Sequence, residues 1–127
     1  MAKSIRSTLG LTLLATLFSI NAVAGDGLVG FWLDKDRPGV LVEMKVSDGL
    51  TQGVVTSNTE KPDSVGKRLF RDLKYNADEK LWQGRVFVLK LGEEKDVTVV
   101  LQNPDQFQMT VKVGLFSKTV TWQRKKN

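Results

Sequence analysis

From Leu28 onward, hydrophobic and polar residues alternate in short runs that turn residues interrupt about every ten positions. In the run over residues 40–46, Val40, Val42 and Met44 fall on one face, whereas Leu41 and Glu43 fall on the other. Alternation of this kind predicts strands that bury one face and leave the other in water. No long segment has the period of an amphipathic helix.

Turn residues divide this part of the chain into eight predicted strands. Asp48-Gly49 lies between two apolar runs, which is a strong indication of a tight hairpin. Residues 57–67 are predicted to form the one long loop, and shorter turns are expected at residues 75–78 and 92–95. The strands are expected at about residues 28–33, 40–46, 50–56, 68–73, 81–89, 97–101, 107–113 and 115–124.

Short connections favour an all-β fold in which each strand pairs with the next, a small antiparallel up-and-down β-barrel of about eight strands. A Greek-key sandwich fits these connections less well. An outer-membrane barrel needs longer strands and a polar interior, so we expect that the protein is not an integral membrane protein. Nine medium-sized residues are expected to face the interior: Val40, Val42, Met44, Val86, Val88, Val99, Leu101, Met109 and Val111.

The first 24 residues have the pattern of an export signal. Lys3 and Arg6 precede a short apolar stretch at residues 9–20, and Ala22-Val23-Ala24 is a site of the kind that signal peptidase cleaves. The stretch is shorter than the ~20 residues of a membrane-spanning helix. We therefore expect a cleaved signal peptide at residues 1–24, a single domain at residues 25–127 and a periplasmic location.

The amino-acid composition limits the kinds of catalysis and metal binding that are open to the protein. The chain has no cysteine and no histidine, which excludes disulfides, Ser-His and Cys-His nucleophiles, and the commonest metal ligands. Loss of the two basic residues of the signal lowers the net charge from +5 to +3, and the remaining cations are spread along the chain. We expect no enzymatic activity, no metal, no cofactor and no nucleic-acid partner. The sequence carries no indication of the oligomeric state.

Aromatic and basic residues stand at the two ends of the predicted barrel. Gly30-Phe31-Trp32 opens the first strand, and Trp122-Gln123-Arg124 closes the last. First and last strands are neighbours in a closed barrel, so the Arg124 guanidinium can lie across the Trp32 ring and close one end. Gly30, Trp32, Trp122 and Arg124 are thus predicted to be structural closure residues. The alternative is that the three tryptophans are ordinary core residues.

Five segments spread over the chain form a recognisable set: Gly30-x-Trp32, the strand at 39–44, Gly53, the stretch at 82–86 and Thr121-Trp122-x-Arg124. In these segments the chain resembles the exported bacterial domains grouped as domain of unknown function twenty-one forty-seven, which look like lipocalin-type barrels. The resemblance covers nearly the whole of residues 25–127. Residues 88–94 replace a D-P-x-x-G-x-x-Y stretch that is usual in that family, and the family's cysteines are missing. The resemblance implies a lipocalin-like barrel and an exported protein, and it implies no activity.

The function that this pattern favours is non-catalytic binding of a small apolar or amphiphilic ligand inside the barrel, because an eight-stranded barrel is just wide enough to hold one. The aromatic candidates for the ligand site are Phe70, Phe87 and Phe107, and the candidates for a headgroup contact are Lys67, Arg68 and Arg71. The alternative is a barrel filled by its own side chains whose basic exterior contacts lipid headgroups or another envelope protein.

Overall fold

The computed structural model describes residues 25–126. The predicted signal peptide at residues 1–24 lies outside the described residues. The described chain contains eight strands and one short 3₁₀ helix, Pro62–Ser64. The strands are β1 (Gly30–Asp34), β2 (Val40–Ser47), β3 (Leu50–Asn58), β4 (Arg68–Asn76), β5 (Leu81–Val88), β6 (Glu93–Asn103), β7 (Gln106–Val113) and β8 (Phe116–Arg124).

The strands form one closed antiparallel barrel in sequence order, and β8 returns to pair with β1. This confirms the predicted all-β, up-and-down barrel of eight strands. The strand pairing that closes the barrel is short: β1 and β8 pair at three positions, beginning with Trp32 opposite Arg124. The Asp48-Gly49 hairpin is also confirmed: both residues have positive φ angles, 53° and 79°, as a two-residue turn of the primed type requires.

Several predicted boundaries were wrong. Leu28 precedes β1 and lies in a turn, although its side chain is fully buried. The turn after β4 lies at residues 77–80 rather than 75–78, because the Asn76 side-chain oxygen accepts hydrogen bonds from the backbone N–H groups of Asp78 and Glu79. Residues 93–95 are not a loop but the start of β6, which pairs with the end of β5.

The barrel interior is apolar. Of the nine residues predicted to face inward, six are buried and three, Val88, Leu101 and Met109, are half-buried and packed against the core. Four large aromatic side chains, Trp32, Phe70, Phe107 and Trp122, form one cluster with ring centroids 4.7–6.1 Å apart. This aromatic cluster fills the interior on the side of the barrel where β1 begins.

We call that side the closed end, and the opposite side, where β1 ends, the open end. The N-terminal segment 25–29 lies at the closed end, together with the β2–β3, β4–β5 and β6–β7 turns. The open end carries the other four connections: β1–β2 (residues 35–39), β3–β4 (59–67), β5–β6 (89–92) and β7–β8 (114–115). No helix within residues 25–126 is long and apolar enough to cross a membrane.

Arg124 spans the closed end. Its guanidinium carbon lies 4.3 Å from the centroid of the Trp32 ring. The same group donates hydrogen bonds to the backbone oxygens of Val29 at 2.7 Å, Gly27 at 3.0 Å and Pro104 at 3.0 Å. Gly30 has a φ of 133°, and a Cβ atom there would collide with the guanidinium. The Arg124 guanidinium thus lies across the Trp32 ring and joins the last strand to the segment before the first.

Candidate functional site: an apolar cavity at the open end

An apolar cavity of about 140 Å³ opens at the open end of the barrel. Its walls come mainly from inward-facing residues of β5, β7 and β8, and Trp122 of the aromatic cluster contributes to its floor. The apolar wall residues are Val40, Leu69, Val86, Val88, Met109, Val111, Val113 and Val120. The interior is therefore filled near the closed end and empty near the mouth.

Side-chain size explains the position of this cavity. Near the closed end the inward positions hold Trp and Phe, whereas toward the open end most of them hold valine. A valine cannot reach the barrel axis, so the space between opposite walls stays open. Apolar cavities of about 150 Å³ stay dry and accept a benzene-sized molecule. The cavity thus has room for one ring or a short branched chain, and less than the roughly 300–1,000 Å³ of a site for a whole drug-sized ligand.

Charged side chains surround the mouth of the cavity: Asp34, Asp36, Arg37, Lys90 and Lys118. The Asp34 carboxylate accepts hydrogen bonds from the backbone N–H groups of Asp36 at 2.9 Å and Arg37 at 3.3 Å, which fixes the β1–β2 loop. Within residues 25–126, no carboxylate lies within 4.0 Å of the ammonium group of Lys90 or Lys118. These two cations are available to an anionic group at the mouth.

A second, shallower depression of about 430 Å³ lies beside the mouth, between the β3–β4 and β5–β6 loops. Phe87 and Leu89 border both spaces and separate them. Lys67 lies 6.0 Å above the Phe87 ring, and the Lys61 ammonium is 3.5 Å from the Leu89 backbone oxygen. A ligand with an apolar group in the cavity could therefore continue into the depression outside it, which Lys61 and Lys67 border together with Glu60 and Asp63.

Buried polar side chains hold the β3–β4 loop in place. Asn58, which is 5% exposed, donates a hydrogen bond of 2.9 Å to the Ser64 hydroxyl, and that hydroxyl donates to the backbone oxygen of Lys61 at 2.8 Å. The Asn58 side-chain oxygen accepts from the backbone N–H groups of Glu60 and Lys61. Because these buried groups are paired, the predicted long loop is a structured wall of the depression.

The predicted ligand residues lie in three different places. Phe87 borders both spaces, and Lys67 borders the depression. Phe70 and Phe107 are fully buried in the aromatic cluster and do not line the cavity. Arg68 lies at the start of β4 outside both spaces, and Arg71 lies on the outer wall, where it pairs with Glu94 at 2.7 Å.

Sequence reasoning missed several residues that border the cavity, notably Val113, Val120, Lys90 and Lys118. A usable signal was present. In an up-and-down barrel the first, third, fifth and seventh connections meet at one end, so Lys90 in the β5–β6 connection and Lys118 near the start of β8 could have been assigned to the mouth. Within residues 25–126, no group of His, Cys, Asp or Glu side chains is arranged to hold a metal ion.

A closed eight-stranded up-and-down barrel with one sealed end and one apolar cavity is the architecture of the lipocalin fold. The comparison with solved structures agrees. The chain is similar to protein HP1028 from the human pathogen Helicobacter pylori, which is described as belonging to the lipocalin family, with a TM-score of 0.60 and 18% sequence identity over 79% of this chain and 84% of that one. The sequence matches no family profile and no curated protein sequence. The likeness shows the fold.

Proposed function

We propose that the protein is a periplasmic, non-catalytic binding protein that takes the apolar part of a small hydrophobic or amphiphilic ligand into its barrel. The observation that carries the proposal is the apolar cavity, which has a mouth at the open end and a floor formed above the aromatic cluster. Concave apolar spaces with a few charged groups at their edge are the usual form of small-molecule sites. A barrel filled throughout by its own side chains does not have this cavity.

The dimensions of the site limit the ligand. A group the size of one ring or a short branched chain fits among Val86, Val111 and Val120, and the rest of the ligand must lie at the mouth or in the depression beside it. An anionic headgroup there would meet Lys90 and Lys118, or Lys61 and Lys67. A fatty acid could therefore enter with only part of its chain.

Three parts of the proposal rest on the sequence. Residues 1–24 support export into the periplasm through a cleaved signal. The G-x-W and T-W-x-R segments support a distant relationship to the exported domains of unknown function twenty-one forty-seven. Absence of histidine and cysteine from the chain supports a binding role rather than catalysis.

Native mass spectrometry tests the proposal directly. The full chain is expressed from Met1 and purified without detergent. We expect an intact mass that lacks residues 1–24, a retained adduct of a few hundred daltons, roughly the size of a small amphiphile, and saturable binding of the apolar dye N-phenyl-1-naphthylamine that fatty acids displace.

Matched variants assign the binding to the cavity. Val88→Phe places a ring at the half-buried mouth position, and we expect it to weaken dye binding by at least about tenfold, since it occupies the space that the ligand needs. Val100→Phe makes the same change on the outer wall, where Val100 is 41% exposed, and should leave binding unchanged. Absence of any adduct and of any saturable dye site would reject the proposal, as would equal binding by the two variants.

A further inference from the structure

The most exposed large hydrophobic side chains of the described residues lie at the open end. Leu115 is 100% exposed and Phe116 is 80% exposed, both at the β7–β8 connection, and Leu91 in the β5–β6 loop is 48% exposed. We call these three residues the apolar rim. The loops that carry them border one mouth, because their neighbours Leu89, Lys90, Val113 and Lys118 all line the cavity.

Two of these side chains, Leu115 and Phe116, contribute little to the stability of the barrel. A residue that is fully exposed buries no apolar surface on folding, and an exposed Leu-Phe pair at a hairpin tip favours aggregation. The other exposed hydrophobic residues, Leu91 among them, keep more than half of their surface covered, so Leu115 and Phe116 stand apart. The apolar rim therefore points to a surface that it contacts outside the barrel.

Cations accompany the apolar rim. Lys90 precedes Leu91, and Lys112 and Lys118 flank Leu115-Phe116. Residues 89–92 and 112–119 contain no acidic side chain. None of the three lysines is ion-paired with a described residue. The acidic residues of the open end lie on the β1–β2 and β3–β4 loops and at the start of β6, where Glu93 is paired with Lys95 and Glu94 with Arg71.

From these observations we infer that the open end docks on a lipid bilayer that contains anionic phospholipids, with the apolar rim inserted among the headgroups and the three lysines in contact with phosphate. Apolar side chains flanked by lysine are the pattern of segments that bind at membrane interfaces, and each lysine near an anionic surface adds attraction. To dock in a partner protein, the apolar rim would have to fit one continuous apolar groove on that protein. The rim side chains stand instead on two separate loops.

This inference rests on the proposed function for its purpose, because docking at this end places the cavity mouth against the bilayer. An amphiphile could then pass between membrane and barrel without exposing its apolar part to water. Docking itself depends only on the apolar rim and its lysines, so the two proposals can be tested separately.

Vesicle sedimentation tests the docking. The protein purified as above is mixed with vesicles of phosphatidylcholine alone, or with about 30% phosphatidylglycerol. We expect binding to the anionic vesicles that falls as the salt concentration rises. The double variant Leu115→Ser with Phe116→Ser should lower the partition coefficient by at least about tenfold, and Lys112→Gln should lower it several-fold only on anionic vesicles.

The matched controls are Val100→Ser, an exposed apolar residue of the outer wall, and Lys125→Gln, an exposed lysine at the closed end; neither should change the partition coefficient. Dye binding is measured on every variant, and the double variant should retain it because neither residue lines the cavity. Wild-type protein that binds dye but neither kind of vesicle would overturn the docking and leave the proposed function standing. Vesicle binding without dye binding would support the docking and reject the proposed function.

A second copy of the chain is the competing occupant of the apolar rim. If sedimentation velocity shows a wild-type dimer that the double variant converts to a monomer, and vesicles do not bind, the apolar rim is an interface between copies and the inference is overturned. A monomeric wild type that binds anionic vesicles supports it.

Discussion

At the scale of single residues, Arg124 joins the N-terminal segment, β1 and the β6–β7 turn at the closed end of the barrel. Its guanidinium stacks on Trp32 and donates to three carbonyl oxygens, two from the N-terminal segment and one from the β6–β7 turn. A guanidinium has five donors in a planar fork and can make all of these contacts together. A lysine ammonium can neither stack in this way nor span the three acceptors.

Arg124→Ala is expected to lower the free energy of unfolding by about 2–4 kcal/mol, since it removes charge-assisted hydrogen bonds and a cation–π contact. Arg124→Lys should recover less than half of that loss. Urea denaturation measures both. Lys125→Ala, at an exposed neighbouring position, should stay within about 0.5 kcal/mol of the wild type, and a loss as large as that of Arg124→Ala would argue against a specific role for Arg124.

Gly30 and Arg124 should be energetically coupled. Gly30→Ala introduces a Cβ atom at a φ of 133° that collides with the guanidinium, so we expect it to cost about 2–4 kcal/mol. With Arg124→Ala in place the collision is gone, and the second change should cost less. A double-mutant cycle from urea denaturation measures this, and strict additivity would show that the two side chains do not meet.

At the scale of elements, alternation predicted the strands well and their ends less well. The outer face of this barrel is in water, so a strand can carry a charged run without penalty. Residues 93–95 were predicted to be a loop because they form a charged run. They belong to β6 instead, and Glu94 forms an ion pair with Arg71 of β4 on the outer surface of the barrel.

The β4 strand departs from regular alternation of inward and outward residues. Asp72 has a φ of 54°, and the pairing of β4 shifts beside it on both flanking strands. Phe70 and Leu73 are both buried although they are three positions apart, whereas regular alternation would put them on opposite faces. Asp72 bonds with Gln52 rather than with its neighbour Arg71. A bulge of this kind leaves no clear trace in the sequence.

Gly84 of β5 is the position that accommodates this bulge. A Cβ atom there would lie 2.8 Å from the backbone oxygens of both Arg71 and Asp72. Gly84→Ala should therefore cost about 1–3 kcal/mol, as overpacking against backbone does, measured by urea denaturation. Gln83→Ala, an exposed neighbour on the same strand, should cost less than about 0.5 kcal/mol. Equal effects would mean that the backbone of β4 yields freely.

At the scale of the whole molecule, the fold could be predicted from the sequence but only part of the site could. Which residues face inward follows from alternation, and five of the nine interior residues predicted do line the cavity. How far along the axis each lies depends on the register between distant strands, which the sequence does not reveal. Phe70 and Phe107 were expected at the ligand, yet register places them in the aromatic cluster below it.

Filling the cavity should exchange binding for stability. Val111 is 4% exposed and lines the cavity, so Val111→Leu can bury an added methylene in empty space, and we expect a gain of about 0.5–1 kcal/mol together with weaker dye binding. Val55→Leu makes the same change in the filled part of the barrel and should cost about 1–3 kcal/mol. Urea denaturation and dye titration check both, and a loss of stability in Val111→Leu would contradict the empty cavity.

The contact between Arg124 and the Val29 carbonyl joins positions 95 residues apart, and this determines when the barrel can form. When the chain emerges from its N-terminal end, β1 is exposed before β8, so until β8 arrives the sheet keeps two unpaired edges that can add strands from other chains. Pairings this distant in sequence also form slowly. A chain without residues 122–124 would retain most of the hydrophobic strands but not the pairing of β8 with β1, so these three residues convert an aggregation-prone open sheet into a closed barrel.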